Sequence, residues 1–143
     1  MKRRHAAFSE RTPGGETGTV DCIFCSIKDY VFENDLAYAI FDKTPVNDGH
    51  MLIITKRHAA DFFEITKEER DAIFDLIERC RDLIDKKFKP DGYNIGVNCG
   101  ESAGQSVMHV HMHLIPRYKG DTASSHGGVR AVVPERMRYG TGQ

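Results

Sequence analysis

No stretch of this 143-residue chain is apolar for long enough to cross a bilayer; runs such as Met51–Ile54 are far too short. Neither charge dominates. Lys and Arg number 20 against 21 Asp and Glu, which argues against a protein that coats a polyanion and disfavours nucleic acid as a bulk partner. A small phosphorylated ligand needs only a local positive site, so it is not excluded. No apolar segment of the secretory kind follows the basic start Lys2-Arg3-Arg4. The expectation is therefore a cytoplasmic protein with no membrane partner, in which thiols stay reduced. Prolines are few, at 5, and there is no internal repeat. What remains is ordinary globular composition, 40% apolar and 29% charged, at a length that buries a core without disulfides.

The four cysteines do not read as a disulfide framework. Cys80 falls on the apolar side of a helical pattern and reads as packing, whereas Cys22-x-x-Cys25 reads as metal or redox chemistry. Residues 1–19 are polar and turn-rich without a period and are expected to form a flexible arm, leaving one domain over 20–143. Within it, Ala37–Phe41 and His50–Thr55 are β-type runs around a loop holding Pro45, Asn47, Asp48 and Gly49. Thr66-Lys67-Glu68-Glu69 fits a capping box. Ala72, Ile73, Leu76, Ile77, Cys80, Leu83, Ile84 and Phe88 then recur at helical spacing, which predicts a helix over about Lys67 to Lys87, stopped by Pro90 and Gly92. Tyr93–Asn98 and Val107–Ile115 are predicted as the last two strands, the second ending at Pro116. The order predicts an α+β fold, mainly an antiparallel sheet packed on one long helix.

His109-Val110-His111-Met112-His113 alternates with period two, so a strand would set three imidazoles on one face and Val110, Met112 and Leu114 on the other. Valines would pack better than histidines, so packing is a poor explanation. By itself the pattern favours a metal site, since His-x-His on a strand is a common way to hold Zn²⁺. The preceding Gly104-Gln105-Ser106 shifts the balance, because a flexible backbone with polar donors suits an anion cradle. Asn98 could add a further neutral donor. The strand also holds no Asp or Glu that would complete a catalytic metal centre.

The stretch His109 to Ile115 resembles the signature of the histidine triad family. Asp42-Lys43-Thr44-Pro45, Gly49 to Ile54 and Lys56-Arg57-His58 resemble the family's first half. Asn98, Gly104-Gln105-Ser106 and Pro116-Arg117 resemble its second, so the likeness covers roughly Asp21 to Asp121. It implies a nucleotidyl hydrolase in which His111 attacks the α-phosphorus of a nucleotide conjugate and water releases the mononucleotide. The resemblance also places His113 on the phosphate or leaving-group oxygen, which favours hydrolysis over nucleotidyl transfer. Asn98, Gly104, Gln105 and Ser106 would sit at the phosphates, Asp42 at the ribose hydroxyls, and Phe41 and Ile23 at the base, although aromatic and aliphatic residues there are more often plain core. Asp42 also reads more simply as a loop residue capping its own turn.

Zinc-bearing bacterial members of the family look similar around Cys-Ile-Phe-Cys. The ligand set they imply is Cys22, Cys25, His50 and His109 around a structural zinc. His58, His5 and His126 read as surface or structural singletons. The resemblance further implies a homodimer, paired through the long helix and a strand edge so that two sheets become one. A non-catalytic nucleotide-binding module and a metallohydrolase are the readings from other classes. Pro116-Arg117 and Gly120-Asp121 resemble dinucleoside polyphosphate hydrolases, whereas the Cys-x-x-Cys and Ser106 lean toward purine nucleoside phosphoramidases.

Overall fold

The computed structural model describes residues 21–140; the predicted arm over 1–19 and His5 lie outside them. The chain runs through a short helix α1 (Ile23–Ser26), strands β1 (Phe32–Glu33), β2 (Ala37–Phe41) and β3 (Met51–Thr55), the long helix α2 (Lys67–Phe88), and strands β4 (Gly92–Gly96) and β5 (His111–Arg117). The strands form one sheet in the order β1-β2-β3-β5-β4, with every neighbouring pair antiparallel. This is the predicted α+β architecture.

Helix α2 begins where its sequence says it should. Thr66 Oγ1 accepts from Glu69 N at 3.1 Å, and Glu69 Oε1 accepts from Thr66 N at 3.0 Å, so two orphan amides of the first turn are satisfied reciprocally. Glu69 is buried and also grips Arg57, whose Nη2 lies 2.7 Å from Oε1. That guanidinium holds the Glu69 carboxyl below the usual carboxylate range. One stripe of α2, centred on Ile73, Leu76, Cys80 and Ile84, packs against Ala37, Ala39, Met51, Ile53, Met112 and Leu114.

The other face of the sheet is covered as well. Tyr38, Leu52 and Ile54 meet Cys22 and Phe24 of the α1 segment, which is why all five residues of β3 are buried. The face that carries the three histidines is therefore largely covered, with His109 and His111 themselves buried.

Several strand boundaries differ from expectation: β3 begins at Met51 instead of His50, β4 runs over Gly92–Gly96 instead of Tyr93–Asn98, and β5 differs at both ends. The last strand starts at His111 instead of Val107, because Val110 N donates to Ala59 O at 2.8 Å, in the loop after β3. It also passes through Pro116 to Arg117. Arg117 O accepts from Asp91 N on the β4 side, so residue 116 turns its backbone the other way, beyond the start of β3, where its carbonyl takes Asn47 Nδ2 at 3.0 Å. The missing proline N–H thus removes no ladder bond.

Candidate active site and metal cluster

His111 lies at the start of β5 and is 9% exposed. Its Nδ1 is 2.8 Å from the His109 carbonyl oxygen. A carbonyl only accepts, so Nδ1 carries the proton and the neutral ring keeps its lone pair on Nε2. His111 borders a cavity of about 930 Å³. The α1 segment forms one wall through Ile23, Phe24 and Ile27, while Ile40 and Leu52 of the sheet form the floor; Asp42, Ser106 and His113 supply polar groups. An apolar slot with a few polar groups at one end suits a flat base and its sugar phosphate. Phe24 packs edge-on against His111, with ring centroids 4.9 Å apart.

A chain of hydrogen bonds sets the protonation of His113. Val46 N–H donates to His50 Nδ1 at 3.0 Å, so the His50 proton sits on Nε2. That Nε2 lies 3.0 Å from His113 Nδ1, which must then accept, leaving N–H on His113 Nε2. Burial, and after it the neighbouring His111 and His50, push His113 down to about 4. Burial also lowers His50, against the opposing pull of Asp42. His113 is thus a neutral hydrogen-bond donor near pH 7. Asp42 does two things at once. Its Oδ1 accepts from Thr44 N at 2.9 Å, the simple turn cap, while Oδ2 stands 3.6 Å from His50 Nε2 at the cavity wall.

His109 faces elsewhere. It is fully buried, and its Nε2 lies 2.7 Å from the Thr55 carbonyl oxygen, so the proton is on Nε2 and the lone pair on Nδ1. Nδ1 is 3.3 Å from Cys22 Sγ and 3.4 Å from Cys25 Sγ. The remaining partner is His58, whose Nδ1 lies 3.3 Å from Cys25 Sγ. Cys22, Cys25, His58 and His109 form a group able to hold a metal ion. The expected ligand His50 is not among them. In the antiparallel register, Leu52 lies beside His113 and Ile54 beside His111, so His50 at the head of β3 falls next to His113. The thiols gather at the other end of the strand, about 16 Å along at ~3.3 Å per residue. His58, in the loop that follows Thr55, is near them instead. It is therefore no singleton, and its signal in the sequence was its place in Lys56-Arg57-His58, just after a predicted strand.

The loop before the triad also corrects expectation. Gln105 is buried, and both amide hydrogens are used inside the protein, on Ala60 O at 2.5 Å and Val107 O at 3.1 Å, while Oε1 accepts from Gly100 N. It pins the loop and has no hydrogen left for a phosphate. Gly104, at φ +92°, ends the turn that Gln105 closes. Asn98 Nδ2 reaches only the Gly104 carbonyl, at 3.5 Å. Ser106 borders the cavity as expected. Phe41 borders it too, but its ring lies against Phe88, so Ile40 provides the apolar surface expected of Phe41. Sequence reasoning also missed Phe24, Val46 and Thr55, whose contributions are a ring edge and two backbone groups.

Residues 26–120 match the model of the HIT domain. The chain belongs to the HIT domain family. It is 41% identical over 108 residues to the protein hit of Bacillus subtilis, covering 71% of this chain and 74% of that one. A bis(5′-adenosyl)-triphosphatase of Dictyostelium discoideum is 36% identical over 90 residues, 63% of this chain and 60% of that protein. Among solved structures, a zinc-bound histidine triad family protein from Mycobacterium smegmatis superposes with a TM-score of 0.67 at 31% identity, covering 75% of this chain and 82% of that one. Some relatives carry the names of nucleotide-conjugate enzymes: the triphosphatase above and an AP-4-A phosphorylase of Mycobacterium tuberculosis, 31% identical over 111 residues, 76% of this chain and 56% of that protein.

Proposed function

We propose that the protein hydrolyses a purine nucleotide conjugate at its α-phosphorus through a nucleotide covalently held on His111. The observation that carries this reading is the hydrogen bond from His111 Nδ1 to the His109 carbonyl, which aims a lone pair on Nε2 at the cavity. In the first step Nε2 forms a bond to phosphorus, and the bond from phosphorus to the leaving oxygen breaks with its electron pair. His113 Nε2–H donates a hydrogen bond to that oxygen or to a phosphoryl oxygen, and Ser106 adds a second donor. In the second step water attacks phosphorus, the P–N bond breaks, and neutral His111 is restored. The water proton passes to solvent through the released phosphate. Asp42 accepts from ribose hydroxyls while holding its own turn.

A neutral His113 favours one class of leaving group. A phosphate leaves as a stable anion and needs only a hydrogen bond, whereas an amine must take up a full proton. The cavity therefore fits a phosphoanhydride such as a dinucleoside polyphosphate better than a phosphoramidate. The triphosphatase named above acts on the former class, in line with this choice. Kinetics on diadenosine polyphosphates beside an adenosine phosphoramidate tests it: kcat/KM is expected to be higher on the anhydride, and a preference for the amidate overturns the choice.

We assign the Cys22, Cys25, His58 and His109 cluster to a structural zinc. Two thiolates and two imidazoles are a common closed tetrahedral set, in which sulfur and nitrogen ligands stand about 3.6 Å apart. The separations here are 3.3–3.4 Å. The zinc would tie the α1 wall of the cavity to the residue whose carbonyl orients His111. Support also comes from the zinc-bound relative. A homodimer joined through β4 is proposed as well, since β4 is an edge strand with Ile95 49% exposed and such edges invite pairing. Light scattering at micromolar concentration checks it, with a mass near twice 16.1 kDa expected.

A further inference from the structure

The cavity is walled by α1, β2 and β3 and stops at His111 and His113. On the far flank of β5 lies β4. The register sets Gly96 beside His113 and Asn94 beside Ile115, on the face of the histidines, while Tyr93 and Ile95 share the face of Leu114 and Pro116. The pairing ends at Gly96, and Asn98 follows two residues later. The histidine strand is thus flanked on β4 by the Asn94 amide and by Gly96, a residue with no side chain, with a second amide, Asn98, just past the end of β4.

Gly96 has no conformational reason to be glycine. It is not among the residues with positive φ, and nothing lies within 4 Å of where its β-carbon would stand. A glycine inside a strand is weaker than alanine by about 0.5–1 kcal/mol. With no turn or packing to require it, it marks a place where something else comes close to the backbone. The amides beside it are arranged to donate. Asn94 Oδ1 accepts from Arg117 Nη1 at 2.7 Å, and Arg117 is itself clamped by Asp121 at 2.8 and 2.9 Å. This fixes the Asn94 amide and leaves its NH2 with no partner among the described residues. The NH2 of Asn98 has only the 3.5 Å contact to Gly104.

We propose that the leaving half of the substrate lies over Gly96, between the amides of Asn94 and Asn98, and that Gly96 sets how large a leaving group the site accepts. The inference rests on nucleotidyl transfer to His111. With the nucleoside enclosed on the β2–β3 side, the leaving group is directed to the β4 side of His111. Amide N–H groups there suit phosphate oxygens, so the leaving half is a nucleoside polyphosphate. The bond that breaks is still the one from the α-phosphorus to the leaving oxygen, which departs with its electron pair.

Two substrates that share an adenylyl group but differ in leaving group test this. Diadenosine tetraphosphate releases ATP, and adenosine 5′-phosphorofluoridate releases only fluoride. Gly96→Val is expected to lower kcat/KM on the tetraphosphate at least about tenfold while changing the phosphorofluoridate less than about twofold; valine suits a strand, so the fold should survive. Gly96→Ala should show the same order with a smaller loss, and it carries the test if valine disturbs the edge. Equal losses on both substrates, or no loss on either, overturn the assignment of Gly96 while leaving the chemistry at His111 standing. A wild-type protein that turns over neither substrate overturns the function and this inference with it.

Discussion

His109 and His111 stand two residues apart, yet one turns its lone pair onto two thiols and the other onto an open cavity. Their own chemistry is identical. What separates them is the carbonyl each ring donates to: Thr55 O takes the Nε2 proton of His109, and His109 O takes the Nδ1 proton of His111. Which nitrogen remains free decides whether an imidazole at this place is a ligand or a nucleophile. The two are also linked in series, since the carbonyl that orients His111 belongs to the residue that faces the thiols.

The largest effect expected from breaking this contrast is on His111. His111→Ala should reduce kcat by at least about a thousandfold with melting behaviour and nucleotide binding kept, because a group acting only in the transition state is lost. Retention of more than about a tenth of kcat, a loss under ~1.4 kcal/mol, removes it as nucleophile. A paired substitution sharpens the contrast further. His58→Ala should abolish stoichiometric zinc yet leave measurable hydrolysis. His50→Ala should keep about one zinc per chain but lower kcat roughly ten- to a hundredfold, by freeing the tautomer of His113. Metal analysis and steady-state kinetics on both variants decide this, and zinc lost from His50→Ala would restore the ligand set expected from the resemblance.

Next in size is the effect of the thiols. Cys22→Ser with Cys25→Ser should remove zinc and lower Tm by several degrees, at about 2–4 °C per kcal/mol, since metal binding contributes folding free energy. A calorimetric Tm equal to wild type rejects the structural role. A smaller effect concerns pH. His50 and His113 are both held below the usual histidine range by burial, His113 at about 4. Between pH 6.5 and 4 the unfolded chain then binds more protons than the folded one, so stability should fall as pH falls through that window and level off below it. Glu69, whose carboxyl is also held low, adds its own loss at still more acid pH. Urea unfolding at several pH values should show a shallower slope in His113→Gln, and an unchanged slope contradicts the reading of His113 as neutral.

Legibility in the sequence follows the range of the interactions. Strand β2 and helix α2 were written in local pattern, and the capping box Thr66–Glu69 in four adjacent residues. Strand β5 was displaced because a long-range bond, Val110 N to Ala59 O, ends the ladder early. The two-residue β1 and the four-residue α1 are too short to show a period. At the site, the alternation of histidines was visible, but the division of labour between His50 and His58 was not. It depends on which end of β3 meets the thiols, a matter of sheet register that two equally plausible histidines in sequence do not reveal. Gln105 misled for a related reason: a polar residue in a loop before the triad looks like a donor until its amide is found to clamp Ala60 and Val107.

The most direct measurement of the account is a rapid-quench experiment under alkaline conditions, in which a nucleotidyl-histidine persists, followed by peptide mass spectrometry. Wild-type protein mixed with diadenosine tetraphosphate should show, within the first turnover, an AMP adduct on the peptide holding His111, specifically on that residue. The adduct should decay as AMP is released and be missing from His111→Ala. Product formation with no adduct at any time, or an adduct on His109 or His113 instead, would contradict it.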